Sequence, residues 1–546
     1  MLSLSLKKKL FFFLLAIIIL TGTFLRFYNL DWDQGNFFHP DERNVVNAVT
    51  RINFFKELNP QFFAYGSLPI YLYRATADLL TTLTKNPDWN SQWPLINLIG
   101  RFYSALFASL SLILIFFLSK KVFNKTVGFL AVFIAAFSPS LIQTAHFAVT
   151  ESMMVFFLLL IALFSFDLFI PSKDKLATYL KIGLIWGLAL ATKMASLSFL
   201  IIPLTAHLLS VKKLKKQFNF LIIPLVSFLT FTIFSLYTFL SWNKFMESMN
   251  YENGVVLGKL RVVYTLQFTH TLPYLFQAKN LVWQMGPIAL IAFLNLIILL
   301  FIGLIKKDRK ILTFLVFPIV YFLYVGSWHT KFVRYMVPIL PFLAITAGWG
   351  LSFLIKKTKI LGKVITFIFL IISLIWALAF FNIYLQTSSR ISASQWVYQN
   401  IPSGSKILGE HWDDGLPVSL KDQTPAIYQI SQLTIYEPDN EDKINYYAQE
   451  LSQADYIIIN SRRLYGTLMF LPEKYPLTSK YYQLLFNGQL GYNKVAQFTV
   501  YPQLFGITIN DDASEESFQV YDHPKIMIFK NVKNLNEEEL KIIINQ

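Results

Sequence analysis

The chain has 546 residues and a mean hydropathy of +0.48, with 55% hydrophobic, 17% aromatic and only 15% charged residues, well below the roughly 25% charged content of soluble domains. This composition excludes a disordered chain, and the absence of cysteine excludes a disulfide scaffold, thiolate catalysis and cysteine-ligated zinc. The net charge of +16 is uneven: residues 385–546 hold 13 basic and 19 acidic side chains, leaving 35 and 13 in the first 384. There the basic residues sit in short runs between apolar segments, a pattern of membrane topology and not of nucleic-acid binding.

An apolar helix of about 17–25 residues crosses a bilayer. The first such segment, Leu10–Phe27, follows Lys7, Lys8 and Lys9 and has no small-residue cleavage site after it, so it reads as an uncleaved span. Further candidates follow at 94–119, 127–144, 152–170, 177–192, 195–211, 219–241, 283–305, 311–327, 336–355 and 362–384, about eleven spans in all. If they alternate, the basic runs at 7–9, 120–125, 173–175, 212–216, 306–310 and 356–363 share one side, which the positive-inside rule makes cytoplasmic. The N-terminus is then inside, in the plasma membrane. Segments 28–93, 143–151, 193–194, 242–282 and 328–335 face outside with the tail from 385. The stretch 67–84, interrupted by Arg74 and Asp78, predicts an outer-surface helix, because counting it as a span would move Lys120 and Lys121 outside.

Residues 385–546 are a different polymer. Turn signals at Pro402-Ser403-Gly404 and Pro438-Asp439-Asn440 punctuate strand-like runs at Lys406–Gly409, Leu433–Tyr436, Tyr456–Asn460 and Lys525–Phe529, with helix-like stretches such as Asp442–Gln453 between them. The fold class read here is mainly α. A polytopic helical membrane domain fills 1–384 with an outer loop at 28–93, and a small extracytoplasmic α/β domain fills 385–546. No internal repeat or low-complexity tract is present.

Four of the 13 acids in the first 384 residues, Asp31, Asp33, Asp41 and Glu42, crowd into the single stretch 31–43 of the first outer segment. Pro40 restricts the backbone there, and Asp41 sits where it would cap a helix over 42–55. Two readings stand open: a cap in a polar loop, or a carboxylate held at the membrane surface as a general base. His146 and Glu151 occupy the short turn Gln143–Glu151 between two spans. Either Glu151 caps the next helix, or both line the same polar cavity as Asp41. Arg101, Lys193, His329, Lys331 and Arg334 lie on the outer side, against the charge rule. They either snorkel to headgroups or bind a phosphate.

His39, Asp41, Glu42, His146, Glu151 and His329 include metal-ligand types, but no spacing such as H-E-x-x-H occurs. No cofactor is required by this reading, and a divalent cation stays an open alternative. Neither a Walker A loop nor a G-x-G-x-x-G fingerprint is present, which disfavours ATP-driven transport.

In chain order come Phe38-His39-Pro40-Asp41-Glu42, then Tyr65-Gly66-Ser67-Leu68-Pro69, Arg101 opening a span, His146 to Glu151, Gly187 to Lys193, and Arg334-Tyr335-Met336-Val337-Pro338. This ordered set resembles the GT-C superfamily of polytopic glycosyltransferases, in particular the protein O-mannosyltransferase and aminoarabinose transferase group, over roughly residues 1–350. The resemblance implies a sugar donor on a polyprenyl phosphate, presented from the outer leaflet, and an acceptor hydroxyl that attacks the anomeric carbon with inversion. It implies Asp41 as general base with Glu42 orienting it, and Arg101 on the donor phosphate with Lys193 and Arg334. His146 and Glu151, with His39, His329 and Lys331, would shape the substrate pocket.

The sugar and the acceptor, whether protein, lipid or glycan, do not transfer with the resemblance, and no nucleic acid partner is implied. Glu151 stands where the family often has Asp, and the tail lacks the sugar-binding trefoil repeats of eukaryotic protein mannosyltransferases. Its stretch Glu410-His411-Trp412-Asp413-Asp414-Gly415 is polar enough for a site, and two readings stand: a loop, which is favoured, or a catalytic element. The competing class is a membrane transporter or lipid-sugar flippase. It calls for two related halves with charges near the midplane, which the sequence does not display.

Overall fold

The computed structural model describes residues 4–210 and 218–545. The basic run at 212–216, and the end of the segment expected at 195–211, lie outside the described residues. The chain opens with α1 (Leu4–Phe27), α2 (Pro40–Arg51), α3 (Ser67–Thr84) and α4 (Trp93–Val122). Then come α5 (Lys125–Ala136), α6 (Glu151–Ser165), α7 (Lys175–Thr192), α8 (Ile201–Ser210), α9 (Ile222–Phe234) and α10 (Trp242–Val256). The helical region closes with α11 (Leu275–Met285), α12 (Ile288–Lys306), α13 (Arg309–Gly326), α14 (Leu340–Thr358) and α15 (Ile360–Phe381).

Among the described residues, 7 helical stretches are long and apolar enough to cross a membrane: Ser5–Phe27, Trp93–Val122, Glu151–Phe169, Ile288–Lys306, Arg309–Gly326, Val333–Thr358 and Ile360–Asn400. The chain is a multi-pass membrane protein. The segments expected at 127–144, 195–211 and 219–241 fold as shorter apolar helices. The reasons are local. Pro139 restricts Ser138 and ends α5. Met194–Leu200 winds as a 3-10 helix before α8, and α9 breaks at Ser235 before the short helix Tyr237–Leu240. The outer-surface helix expected over 67–84 is α3, pinned by an Arg74–Asp78 pair one turn apart. Lys120 and Lys121 end α4, Lys306 ends α12, and Lys356 and Lys357 end α14, where the helix dipole favours cations.

The chain forms two compact units. The first takes the residues up to Asp31, His39–Leu257 and Leu272–Phe381; the second takes Trp32–Phe38, Gly258–Thr271 and the chain from Asn382 on. The second unit contains α16 (Ser389–Asn400), β1 (Lys406–Glu410), β2 (Gln429–Leu433), α17 (Glu441–Gln453), β3 (Tyr456–Ile459), α18 (Pro476–Phe486) and β4 (Tyr492–Phe498). It finishes with β5 (Gln503–Leu504), β6 (Ile507–Thr508), β7 (Ile526–Asn531) and α19 (Glu537–Asn545).

Five strands form one sheet in the order β2-β1-β3-β7-β4. β1 runs parallel to β2 and β3, and β7 antiparallel to β3 and β4. Alternation along β1 sends Ile407 into a core with Val397, Tyr428, Ile458 and Ile528, and Leu408 into a second core with Tyr447, Leu451, Ile457 and Tyr481. Both faces are covered, as parallel pairing demands. The expected strand at Leu433–Tyr436 starts earlier, as β2: register with Lys406–Glu410 uses Gln429–Leu433, and Ile435 is buried beyond the sheet. The second unit also draws in residues from outside the tail. Phe38 packs under the Arg390 guanidinium at 4.9 Å, and Leu266 joins the Tyr447 core, so burial of apolar loop residues extends the unit past the tail.

Candidate active site

Pro40 occupies the first turn of α2, a position it suits because its fixed φ is helical and its missing N–H is not needed there. The N-cap is His39, whose Nδ1 accepts from the Asp41 N–H at 3.2 Å. Asp41 was expected in that place and instead stands inside the first turn. The helix stops at Arg51, short of the expected 55. His39 is buried, with its ring 4.7 Å from that of Phe147. Consecutive residues of a helix point about 100° apart, so the adjacent acids Asp41 and Glu42 diverge.

Glu42 turns inward and is 0% exposed. Its Oε1 accepts from Arg101 Nε at 2.8 Å and from the Ala148 N–H at 2.6 Å, while Oε2 accepts from Arg101 Nη2 at 2.7 Å. Arg101 Nη1 also donates to the Leu30 carbonyl at 2.8 Å. Arg101 was expected on a donor phosphate; the structure instead buries it in a bidentate pair with Glu42. That pair joins α2, α4, the turn before α6 and the end of the α1 segment. Gly100 permits the approach, since a Cβ there would lie 2.6 Å from the Ala148 Cβ. His146, 0% exposed, has its ring nitrogens 2.9 Å from the Ile142 and Tyr28 carbonyls.

Asp41 turns the other way, and its side chain keeps 19% exposure. Its Oδ2 accepts from the Tyr65 hydroxyl at 2.8 Å and from Arg334 Nη1. Tyr65 is delivered by Gly66, whose N–H donates to the Thr192 carbonyl at 3.0 Å; a Cβ on Gly66 would fall 2.0 Å from the Ala191 carbonyl oxygen. The same junction places Lys193 at the end of α7, with its Nζ 4.9 Å from the centre of the Tyr65 ring and 2.8 Å from Glu151 Oε1. Glu151 opens α6 and is buried, and its Oε2 has no hydrogen-bond partner among the described residues.

Asp41, Tyr65, Lys193, Glu151 and Arg334 therefore meet, with His39 beneath. The loop carrying His329 and Lys331 is tied back on itself and onto α10. Lys331 Nζ donates to the His329 carbonyl at 2.8 Å, and Thr330 donates to the Val255 and Val256 carbonyls at 2.8 and 3.2 Å.

Charge sets the protonation of this cluster. Burial opposes ionisation of Asp41, but Arg334, His39, the Tyr65 hydroxyl and Lys193 outweigh it and bring its carboxyl down to about 2. Burial, with Asp41 adding to it, pushes the Tyr65 phenol well up. Burial also lowers the His39 imidazole and the Lys331 ammonium. On α10, Glu252 is raised by burial, although Arg334 and Lys193 pull it down. Glu252 and Tyr65 are the site residues that reading the sequence for roles missed. Their signal was sparse: Glu252 is one of two acids in the outer segment 242–282, and Tyr65 sits beside the family-like Gly66-Ser67. Among the described residues, no group of three or more His, Asp or Glu is arranged to hold a metal ion.

Residues 95–242 match a family model described as dolichyl-phosphate-mannose-protein mannosyltransferase. No curated protein sequence matches. The archaeal oligosaccharyltransferase AglB from Archaeoglobus fulgidus, solved with an inhibitory peptide and a dolichol-phosphate, is similar in fold at TM-score 0.54 and 14% identity, over 92% of this chain and 75% of that one. A second structure of the A. fulgidus oligosaccharyltransferase, tethered to an acceptor peptide containing the NVT sequon, is similar at TM-score 0.51 and 12% identity, over 96% of this chain and 89% of that one. The chain thus shares the fold of these archaeal oligosaccharyltransferases, and its segment 95–242 is similar to the mannosyltransferase family model.

Proposed function

We propose that this chain transfers a sugar from a polyprenyl-phosphate donor to an acceptor hydroxyl on the extracytoplasmic face of the plasma membrane, inverting the anomeric carbon, with Asp41 as general base. The observation that carries the reading is the pairing of a partly exposed, ionised Asp41 with Arg334, beside Lys193, while the neighbouring acid Glu42 is wholly buried. A carboxylate at an open position can take a proton from an incoming hydroxyl. Cations within the same cluster suit a phosphate that leaves as an anion, because they stabilise the charge building on the bridging oxygen. The dolichol-phosphate in the similar archaeal structure supports a lipid phosphate as the ligand of this fold. The outer sidedness rests on the basic runs that end the spans. Glu42, Arg101 and His146 hold the loop that presents Asp41.

The experiment is sugar transfer by purified protein in nanodiscs. Polyprenyl-phosphate hexoses and pentoses serve as donors, with peptide, lipid and glycan acceptors, comparing wild type with Asp41→Asn. Transfer by wild type that is lost in the variant supports the reading. Equal transfer by both removes Asp41 from its role, and donor flux across vesicles without any transfer favours a flippase.

A further inference from the structure

Strands β5 and β6 form a separate two-stranded hairpin, pairing Gln503 with Thr508 and Leu504 with Ile507, and the Ile509 N–H donates to the Pro502 carbonyl at 2.8 Å. The two residues of its turn are Phe505 at φ 51° and Gly506 at φ 79°. Both positive values match the type I′ geometry that a two-residue hairpin prefers, but that geometry ordinarily selects Asn or Gly at the first position. A bulky residue held at positive φ is an outlier that points to a role for its side chain. Phe505 is 92% exposed and Ile507 71% exposed, and residues 502–510 carry no charge in a tail that is otherwise rich in acids.

The position of the hairpin identifies what covers this tip. β5 packs against the 3-10 turn Asn382–Leu385. That turn follows Phe381, the last residue of α15, with no linker, and Leu385 within it is itself 54% exposed. The hairpin is thus anchored to the turn that directly continues α15, the most C-terminal of the long apolar helices. A protein partner is a poor fit. One aromatic side chain buries about 150–250 Å², and a Phe and an Ile fall far below the roughly 800 Å² per partner of a stable interface. A lipid interface needs only apolar side chains at the right height.

We propose that the 503–508 hairpin is a lipid-contacting finger that inserts Phe505 and Ile507 into the bilayer interface and fixes the second unit to the membrane surface. The natural chain has no cysteine, so single-cysteine variants report one site each. Phe505→Cys and Ile507→Cys in the full chain are labelled with a nitroxide in nanodiscs, and Lys421→Cys, at another exposed position of the same unit, serves as the aqueous control. Collision rates with oxygen and with a water-soluble nickel chelate are then measured. The expected result is a several-fold excess of oxygen over nickel accessibility at 505 and 507, reversed at 421. Nickel accessibility at 505 and 507 equal to that at 421 overturns the proposal. Low accessibility to both reagents also overturns it, because it means protein covers the tip. Two reporters on one turn keep the test decisive if either variant perturbs the fold.

Discussion

The buried Glu42–Arg101 pair gives the sharpest test of how labour is divided between the two adjacent acids. Replacing Glu42 with Gln strips the compensating charge from Arg101, which is 1% exposed and forked onto both carboxylate oxygens. Breaking one partner of a buried ion pair costs about 3–5 kcal/mol, because the other charge is left uncompensated. With roughly 2 cal/mol/K of unfolding entropy per residue across a unit of several hundred residues, that loss lowers the melting temperature by about 4–7 °C. Arg101→Met should do the same, and the Glu42→Gln/Arg101→Met chain should recover much of it, since no charge is then buried alone. The assay is thermal unfolding of the purified protein in one detergent, with Asp41→Asn as the contrast. Asp41 keeps 19% exposure and its ionised form contributes at most roughly 2.5 kcal/mol, so its variant should melt no more than about 3 °C below wild type while its transfer falls at least about 100-fold. Single variants at Glu42 and Arg101 that melt like wild type would refute the assignment of this pair to stability. So would a double variant whose loss equals the sum of the singles.

Four further outcomes follow. Asp41→Asn should lower turnover by at least about 100-fold, the scale of a lost general base, measured as transfer from a polyprenyl-phosphate sugar. A carboxyl held near 2 instead of its ordinary 3.8 is favoured in its ionised form by roughly 2.5 kcal/mol; because the folded value is the lower one, this stability is present above about pH 4 and disappears as pH falls toward 2. Acid unfolding of Arg334→Gln should lack that part of the loss. Gly66→Ala should reduce transfer and raise solvent exposure of Tyr65, read by hydrogen exchange over 60–75, because no Cβ fits 2.0 Å from the Ala191 carbonyl oxygen. In the second unit, His523 bonds Asp522 and Asp511 at 2.5 and 2.7 Å; burial lowers its imidazole, but the two aspartates win and raise it to about 10. That cluster stabilises the unit fully below about pH 6.5 and fades as pH rises to 10, so exchange protection of 511–531 should fall over that range.

What the sequence made legible was what repeats. Long apolar runs gave the crossing helices, short β-branched apolar runs between turn signals gave β1 and β3, and basic residues after apolar runs marked the helix ends. What stayed hidden depended on geometry that a linear pattern does not carry. Asp31, Asp33, Asp41 and Glu42 look alike in one stretch, yet Asp33 caps its own loop by accepting from the Gly35 and Phe37 N–H groups, and Glu42 is buried under Arg101. Arg101 read as a headgroup or phosphate ligand because a cation on the outer side has those two uses, and its partner Glu42, 59 residues away in the chain, gives it a third. Glu252 was invisible because its surroundings come from α2, the end of α7 and the loop before α14, far away in the chain. In the tail, the charge-free turn at Phe505-Gly506 lacks the Asn-Gly or Asp-Gly that announces a hairpin.

On the proposed reaction, the Arg334–Asp41 pair does more than hold two charges together. A carboxylate at about 2 is a weak base, and most of its weakness comes from Arg334, because burial alone acts in the opposite direction. A donor phosphate bound at the same guanidinium would offset that charge; His39, the Tyr65 hydroxyl and Lys193 still lower the carboxyl, but without Arg334 burial opposes them more effectively and the basicity of Asp41 rises. The base is then strongest when the donor is in place and weakest when the site is empty, so the acceptor hydroxyl is activated only beside a sugar that can receive it. Lys193 cannot substitute in this coupling, since its ammonium is bonded to Glu151 and reaches Asp41 only as a lesser, more distant charge. The arrangement therefore assigns the coupling between donor binding and base strength to one residue, Arg334. The same charge that makes Asp41 ionised in the empty site is the one a phosphate is best suited to take away.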